Sequence, residues 1–390
     1  FSLRHGSETV AKSNISIKVV HIITGLHTGG AEMMLYKIIK QNLDSYNYEC
    51  IIISLIKPGN IGKKIQDLNV PIRTLNMNPG SIPSMKSVLL MFRIIGDFKP
   101  NIIQGWMYHG NLLSALSKIR FPSTRIFFNI RQTIYSLKKE KIATATVIIF
   151  NMLLSRLADK IIFNSHLSRK QHLSIGFSKA NALVIGNGFD LDIFRPNLDD
   201  RKAIRMQLKI ENDELLVTHI SRFHPMKDHK TLLKSIQLTI KNNNKIKFLL
   251  IGSGVINNIE LERQAKNLNI LDNIIFLGEK SDIAKILAST DLTVLTSAWG
   301  EGFPNILGES LASGVLCVST DVGDSKLIIN KYGFIASIGS YEQISSAILK
   351  ALSMSYEERL KLGVMARSHI QKNYSIDKVY EEYLNTYRGS

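Results

Sequence analysis

Four side chains stand out for chemistry that they could share. Glu301 and Glu309 lie eight residues apart in SAWGEGFPNILGESLASG (297–314), and Arg222 and Lys227 lie five apart in HISRFHPMKDHKTLL (219–233). A carboxylate accepts two hydrogen bonds at once, so it can grip a vicinal diol of a ribose or a hexose. A guanidinium fork and a point-charge ammonium at one strand end suit a diphosphate. Acids beside phosphates repel them unless cations intervene, and Arg222 and Lys227 are placed to do so. Plainer readings exist for the same residues. Acids gather at helix N-termini for the dipole, which accounts for Glu309 better than for Glu301. Two cations can simply decorate a helix entry that Asp228 caps. Pro304 suits a first helical turn, which sets Glu309 early in the helix and Glu301 in the loop before it.

Weaker signals occur elsewhere. TGLHTGGAEMM (24–34) offers Gly29 and Gly30 before a helical pattern, without the G-x-G-x-x-G spacing of a dinucleotide site. Such glycines still let an anion or sugar approach backbone N–H groups at a positive helix end. IGSGV (251–255) repeats the theme with Gly252. His109, flanked by Gly105 and Gly110, suggests a loop lining a cleft, although a lone histidine is more often structural. Asp190-Leu191-Asp192 has the D-x-D form of some metal sites, but in NGFDLDIFRP it reads as turn chemistry. No Ser–His–Asp or Cys–His nucleophile set has local support.

These residues follow short apolar runs, and the runs define the architecture. IKVVHIIT, YECIIISLI, NIIQGWM, RIFFNIR, DKIIFNS and NALVIGNG alternate with helical patterns in the first half. ELLVTHISR, KIKFLLIGSG, NIIFLGE, DLTVLTS, GVLCVST and YGFIAS do so in the second. Continuous apolar strands between helices predict α/β structure with parallel sheets covered on both faces. Two series predict two doubly wound, Rossmann-like domains: 15–195, 196–372 beyond the linker around Pro196, and a C-terminal helix over 373–390 that packs back on the first domain. In such sheets ligands bind beyond the carboxyl ends of strands, where Arg222, Lys227 and Glu301 stand.

A chain of 390 residues, 45% hydrophobic, is long enough for two cores. Cys50 and Cys317 both sit in apolar runs, which gives no disulfide framework and points to a reducing compartment. The uncharged, largely apolar stretch 142–155 is too short to span a bilayer, so a soluble or peripheral protein is expected. The net charge of +17 is uneven: residues 1–195 carry 25 Lys and Arg against 10 Asp and Glu, and residues 196–390 carry 24 against 22. An excess of +15 in one half favours anionic partners.

Taken in order, the motifs resemble the family 4 retaining glycosyltransferases with the GT-B fold. They are GGAE (29–32), the His109 segment, LADKIIFNS (157–165), NGFDLDIFRP (187–196), SRFHPMKD (221–228), IGSG (251–254), FLGEKSDI (276–283) and EGFPNILGESLASG (301–314). The last corresponds to the family's E-x7-E element, and the resemblance covers about residues 17–375. It implies two domains facing a central cleft. It also implies that Arg222 and Lys227 hold the donor diphosphate and that Glu309 binds the ribose. Glu301, with backbone N–H groups at Gly302, Phe303 and Asn305, would hold the transferred sugar. Gly29, Gly30 and Gly252 would line the donor, and His109 would sit beside sugar and acceptor. Ser221 where Gly is common before the arginine, and Asp228 where Gly is common after the lysine, are departures that look tolerable.

The resemblance further implies retention of configuration, no metal and no other cofactor. The expected donor is a nucleotide sugar, UDP-hexose or UDP-N-acetylhexosamine by preference. The expected acceptor is a glycan, lipid-linked, in surface polysaccharide or lipopolysaccharide assembly. Lys118, Arg120, Arg125, Arg131, Lys138, Lys139 and Lys141 suggest an acceptor-side face docked on the anionic inner leaflet, giving a cytoplasmic, peripheral protein. Alternatives are another GT-B enzyme, a phosphorylase or sugar-nucleotide epimerase, and a nucleic-acid-binding or scaffold protein using the basic face. No nucleic-acid module is recognisable, so no nucleic-acid partner is expected.

Overall fold

The computed structural model describes residues 17–45, 47–81, 83–134 and 142–389. Seven strands form one parallel sheet: β1 (Lys18–Ile23), β2 (Glu49–Ser54), β3 (Ile72–Thr74), β4 (Ile102–Trp106), β5 (Arg125–Ile130), β6 (Lys160–Phe163) and β7 (Ala182–Val184). Six form a second: β8 (Leu215–Ile220), β9 (Ile246–Ile251), β10 (Ile274–Leu277), β11 (Leu292–Leu295), β12 (Cys317–Thr320) and β13 (Gly333–Ala336). Strands such as FLLI in β9 and LTVL in β11 are buried along their length, because helices cover both faces.

The strand orders are β3-β2-β1-β4-β5-β6-β7 and β10-β9-β8-β11-β12-β13. Each order reverses once, between β1 and β4 in the first sheet and between β8 and β11 in the second. A reversal leaves a crevice at the carboxyl ends of the two strands that flank it, since their following helices depart to opposite faces. Gly29 and Gly30 follow β1 and His109 follows β4. Arg222 and Lys227 follow β8, and Glu301 follows β11. The candidate residues therefore stand at the switch point of their own sheet.

Compact units divide the chain as Phe1–Asn129 with Leu157–Lys160 and Tyr383–Ser390, and Ile130–Arg156 with Ile161–Glu382. Residues 161–195, expected with the first domain, thus group with the second unit. The final helix runs Ile376–Arg388, and its last turns complete the first unit's core. Tyr383 stacks on Trp106 with ring centres 6.3 Å apart, and its hydroxyl accepts from Asn129 Nδ2 at 2.8 Å. The Tyr387 hydroxyl donates to Gln104 Oε1 at 2.7 Å. In the second unit, Phe248, Leu250, Leu232 and Ile236 pack between β9 and the helix His229–Asn242.

Candidate functional site

In the second unit the loop after β8 is a short 3-10 turn, Pro225–Lys227, started by His224, whose Nδ1 accepts from Met226 N–H at 3.2 Å. Asp228 takes φ 49° and caps the next helix, its Oδ1 accepting from Thr231 N–H at 3.1 Å. Two hydrogen bonds tie this turn to the loop after β11. Thr296 Oγ1 donates to the Lys227 carbonyl at 2.8 Å, and Ala298 N–H donates to the Met226 carbonyl at 2.8 Å. With both backbones fixed, the side chains meet: Lys227 Nζ donates to Glu301 Oε1. Both are largely enclosed, at 16% and 12% side-chain exposure, and Ser297 Oγ donates to the same Oε1 at 2.7 Å. Arg222, on the same loop as Lys227, is exposed and touches Met226 Sδ at 3.7 Å.

The loop that carries Glu301 is held from behind. Asp324 N–H donates to the Gly302 carbonyl at 2.9 Å. Its buried carboxylate accepts from the N–H groups of His166 and Leu167, at 2.8 and 3.3 Å, at the start of the helix His166–Ser174. Burial raises this carboxyl above its usual range, and those two donors oppose the rise. Gly323 next to it has φ 52°, and a Cβ there would lie 2.8 Å from the Glu301 carbonyl oxygen and closer still to that of Gly302. Only glycine lets the two loops approach so closely. The side chain of Phe303 is a core residue, stacked on Phe189 with ring centres 6.1 Å apart.

Asn305 opens the helix Asn305–Ala312, with Pro304 one position ahead of it as the N-cap. Its Oδ1 accepts from Asn187 Nδ2 at 2.5 Å, and Asn187 Oδ1 accepts in turn from Arg131. Arg131 also donates to the Gly186 carbonyl at 3.1 Å and is buried. This corrects its expected place on an acceptor or membrane face: the guanidinium is spent on satisfying carbonyl oxygens behind the site. Glu309 is the fifth residue of its helix, and the first turn has no acid. The helix dipole acts within the first turn, so it does not account for Glu309.

Gly252 sits against the Ser221 backbone, where a Cβ would meet the Ser221 carbonyl carbon at 2.5 Å. Phe223 N–H donates to the Ser253 carbonyl at 2.8 Å, so IGSG clasps the loop that carries Arg222. Beneath Lys227 lie His219 and His229, ring centres 5.1 Å apart. Burial lowers both, His219 well below its ordinary value and His229 to about 4, and Lys227 adds to each effect. Asp190 Oδ1 accepts from the N–H groups of Asp192 and Ile193 at 3.0 and 3.2 Å, which is a turn.

In the first unit, Gly29 precedes the helix Gly30–Ser45, its carbonyl accepting from Met33 N–H at 3.0 Å, and Gly30 is exposed. His109 is exposed in the first turn of the helix Met107–Leu116, not in a loop. Its flanking glycines serve packing: a Cβ on Gly105 would lie 2.5 Å from the Asn111 backbone, and one on Gly110 would strike the Ile22 carbonyl. Partial desolvation lowers the His109 imidazole from its ordinary value. Lys118 pairs with Asp159 at 3.5 Å and Arg125 donates to the Tyr387 carbonyl, while Arg120 is exposed over the Phe121 ring. Lys138, Lys139 and Lys141 lie outside the described residues.

Ser297, Asn187, Gly323 and Asp324 were not singled out from sequence. Ser297 and Gly323–Asp324 all stand in loops just after strands, which was the available signal.

Both halves of the chain match known proteins. Residues 28–193 match the model for Glycosyltransferase Family 4, and residues 200–369 match the model for Glycosyl transferases group 1. The chain is similar to the putative glycosyltransferase EpsF of Bacillus subtilis, 34% identical over 53% of each chain. It is also similar to the Escherichia coli UDP-Gal:alpha-D-GlcNAc-diphosphoundecaprenol alpha-1,3-galactosyltransferase, 26% identical over 43% of this chain and 44% of that one. It spans about half the length of the curated relatives it matches. The structure of Anabaena HepE in complex with UDP superposes with a TM-score of 0.84 at 19% identity, over 96% of this chain and 100% of that one. With matches running through both halves and a fold shared over nearly the whole length, the chain belongs to the family 4 glycosyltransferases and has their GT-B fold.

Proposed function

We propose that the protein is a retaining, metal-independent glycosyltransferase. It moves a hexose or N-acetylhexosamine from a UDP-sugar to a glycan acceptor, lipid-linked, in surface polysaccharide or lipopolysaccharide assembly. The observation that carries this reading is the enclosed Lys227–Glu301 pair at the switch point of the second sheet, with Arg222 exposed on the Lys227 loop. A donor that brings a diphosphate for Lys227 and Arg222 and sugar hydroxyls for Glu301 substitutes for the pair without stranding either charge. As the sugar–phosphate bond breaks, negative charge grows on the leaving diphosphate, and one preorganised donor there contributes about 3 kcal/mol. The enclosed Lys227, with Arg222 exposed on the same loop, would supply the charge that a metal supplies elsewhere. Glu301, engaged by Lys227 and Ser297, is better suited to holding the sugar than to attacking its anomeric carbon. Glu309 is assigned to the ribose, and His109 with Gly29 and Gly30 to the sugar and acceptor side. The HepE complexes with UDP and UDP-glucose and the named lipid-linked acceptor of the galactosyltransferase relative support the choice of substrates.

The test is a thermal-shift panel of UDP-, GDP- and dTDP-sugars, followed by NMR of the product's anomeric configuration with and without EDTA. A UDP-sugar at a hundred times its dissociation constant should stabilise the fold by about 2.7 kcal/mol. Transfer should keep the donor's anomeric configuration and its rate in EDTA. No response to any sugar nucleotide, an inverted product, or loss of rate in EDTA each removes the corresponding part of the proposal.

A further inference from the structure

We infer that Trp299 is a substrate-binding residue, a stacking wall for the hexopyranose ring that Glu301 holds. The protein has two tryptophans, and they are placed in opposite ways. Trp106 is fully buried, with its Nε1 donating to His21 Nδ1 at 3.2 Å and its ring stacked on Tyr383. Trp299 is 39% exposed. Among the described residues no hydrogen bond engages its Nε1, and no aromatic ring or cation packs on its indole. An exposed apolar residue by itself needs no explanation. The place of this one gives it a role, because it borders the Lys227–Glu301 pair.

Trp299 stands two residues before Glu301 in the loop after β11, so their Cα atoms are within about 7 Å of each other. The backbone is fixed on both sides of the indole. Ala298 N–H donates to the Met226 carbonyl at 2.8 Å. Gly300 takes φ 78°, which favours glycine, and a Cβ there would lie 2.5 Å from Met226 Cε. Met226 Sδ in turn touches the Arg222 guanidinium at 3.7 Å. The indole is thus carried by the same pair of loops as both cations and the carboxylate. Glu301 offers the complementary half: Oε1 accepts from Lys227 and Ser297, while Oε2 accepts no hydrogen bond among the described residues. A hexopyranose presents hydroxyls at its rim and C–H groups on its faces. Oε2 can accept from the rim, but water competes for those hydroxyls, so hydrogen bonds alone add little net affinity. Withdrawing a C–H face from water against a rigid aromatic ring adds the apolar contribution. The base of the nucleotide is the competing occupant. The sugar is favoured because its clamp, Glu301, shares the loop of Trp299, whereas Glu309, assigned to the ribose, stands inside the helix Asn305–Ala312. The inference rests on the proposed function, since it takes Glu301 as the sugar clamp.

Acrylamide quenching of the full chain's tryptophan emission, with UDP, UDP-glucose or UDP-N-acetylglucosamine, is the experiment. Trp106 is buried, so the quenchable emission belongs to Trp299, and Trp299→Phe should remove most of it. A bound UDP-sugar should lower the quenching constant at least two-fold, and UDP alone should leave it nearly unchanged. In calorimetry, Trp299→Ala should weaken the UDP-sugar about ten-fold and UDP less than two-fold, with the melting temperature unchanged. Trp299→Phe should keep most of the affinity. Equal quenching in UDP and in the UDP-sugar that binds would overturn the inference and leave the proposed function standing. So would an equal loss of both ligands in Trp299→Ala, because the indole would then face the base or the diphosphate. Absence of binding by UDP and by every UDP-sugar would remove the proposed function, and the inference with it.

Discussion

Lys227 and Glu301, 74 residues apart in sequence, share a hydrogen bond between the loops that leave β8 and β11, the two strands between which the second sheet reverses its order. The hydrogen bonds from Thr296 to the Lys227 carbonyl and from Ala298 to the Met226 carbonyl set this meeting before either charge contributes. Two enclosed charges that satisfy each other keep the loops together, and under the proposed function each would be released to a ligand that offers it a better partner. Attraction in a partly desolvated place is stronger than on the open surface, but so is the cost of losing one partner.

Glu301→Gln separates these effects. The amide keeps an acceptor for Ser297 and lacks the charge that balances Lys227, so the empty protein should lose about 1–3 kcal/mol in urea unfolding. UDP binding should hold or tighten, because the ammonium no longer has a competing carboxylate. Sugar transfer should fall by about a hundred-fold or more, as expected when a transition-state contact is removed. Weakened UDP binding in calorimetry would contradict the placement of the diphosphate at Lys227.

Arg222 is exposed and contributes little to the fold, so Arg222→Ala should leave the melting temperature unchanged. If it stabilises the leaving diphosphate, kcat/KM should drop by about two orders of magnitude, and Arg222→Lys should recover part of it, keeping charge without the fork. Glu309→Gln should raise the donor KM. Wild-type kinetics in both Arg222→Ala and Glu309→Gln would remove them from the site.

Gly323 and Asp324 act on Glu301 only through the backbone behind it. Gly323→Ala forces a Cβ onto the Glu301 and Gly302 carbonyls at φ 52°, and should cost about 2–3 kcal/mol. Asp324→Ala leaves the N–H groups of His166 and Leu167 without their acceptor, a loss of about 1–2 kcal/mol. Asp324→Asn keeps one acceptor oxygen and should fall between. If the role is positioning, the donor KM rises in step across Asp324→Asn and Asp324→Ala under conditions where both remain folded. A KM that stays constant while stability falls would make the pair purely structural.

Much of this was legible because parallel strands in a covered sheet are written as unbroken apolar runs. FLLI, LTVL and the others could be read directly, and only β3, the short and polar IRT, left no such trace. Arg222, Lys227 and Glu301 were legible because they follow strands, and Glu309 by its eight-residue spacing from Glu301. What could not be read was the second layer. Arg131 looks like any other cation in a basic stretch, and its burial follows from Asn187 and Gly186 carbonyl groups 55 or more residues away. The glycines beside His109 suggested a loop, but their small size serves the approach of a helix to β1 and β4, a contact that no local pattern encodes. Glu309 at a helix mouth suggested the dipole until the cap was fixed at Pro304.

The buried histidines set a limit in acid. His21, His172 and His229 are pushed by burial to about 3, 4 and 4, against an ordinary value near 6.5, and His219 well below it. Each is neutral in the folded protein at pH values where the unfolded chain already takes up a proton. Stability is therefore complete above about pH 6.5 and falls as pH drops toward 4, because the unfolded state binds more protons through that window. Each histidine contributes a slope of up to about 1.4 kcal/mol per pH unit, so four together should lower the urea midpoint steeply between pH 6 and 4.5. His229→Gln should flatten the curve by about one proton's worth, since it removes a titrating group at 4% exposure. A midpoint that stays level to pH 4.5 would mean that these rings are solvated, and that Lys227 does not rest on a neutral pair.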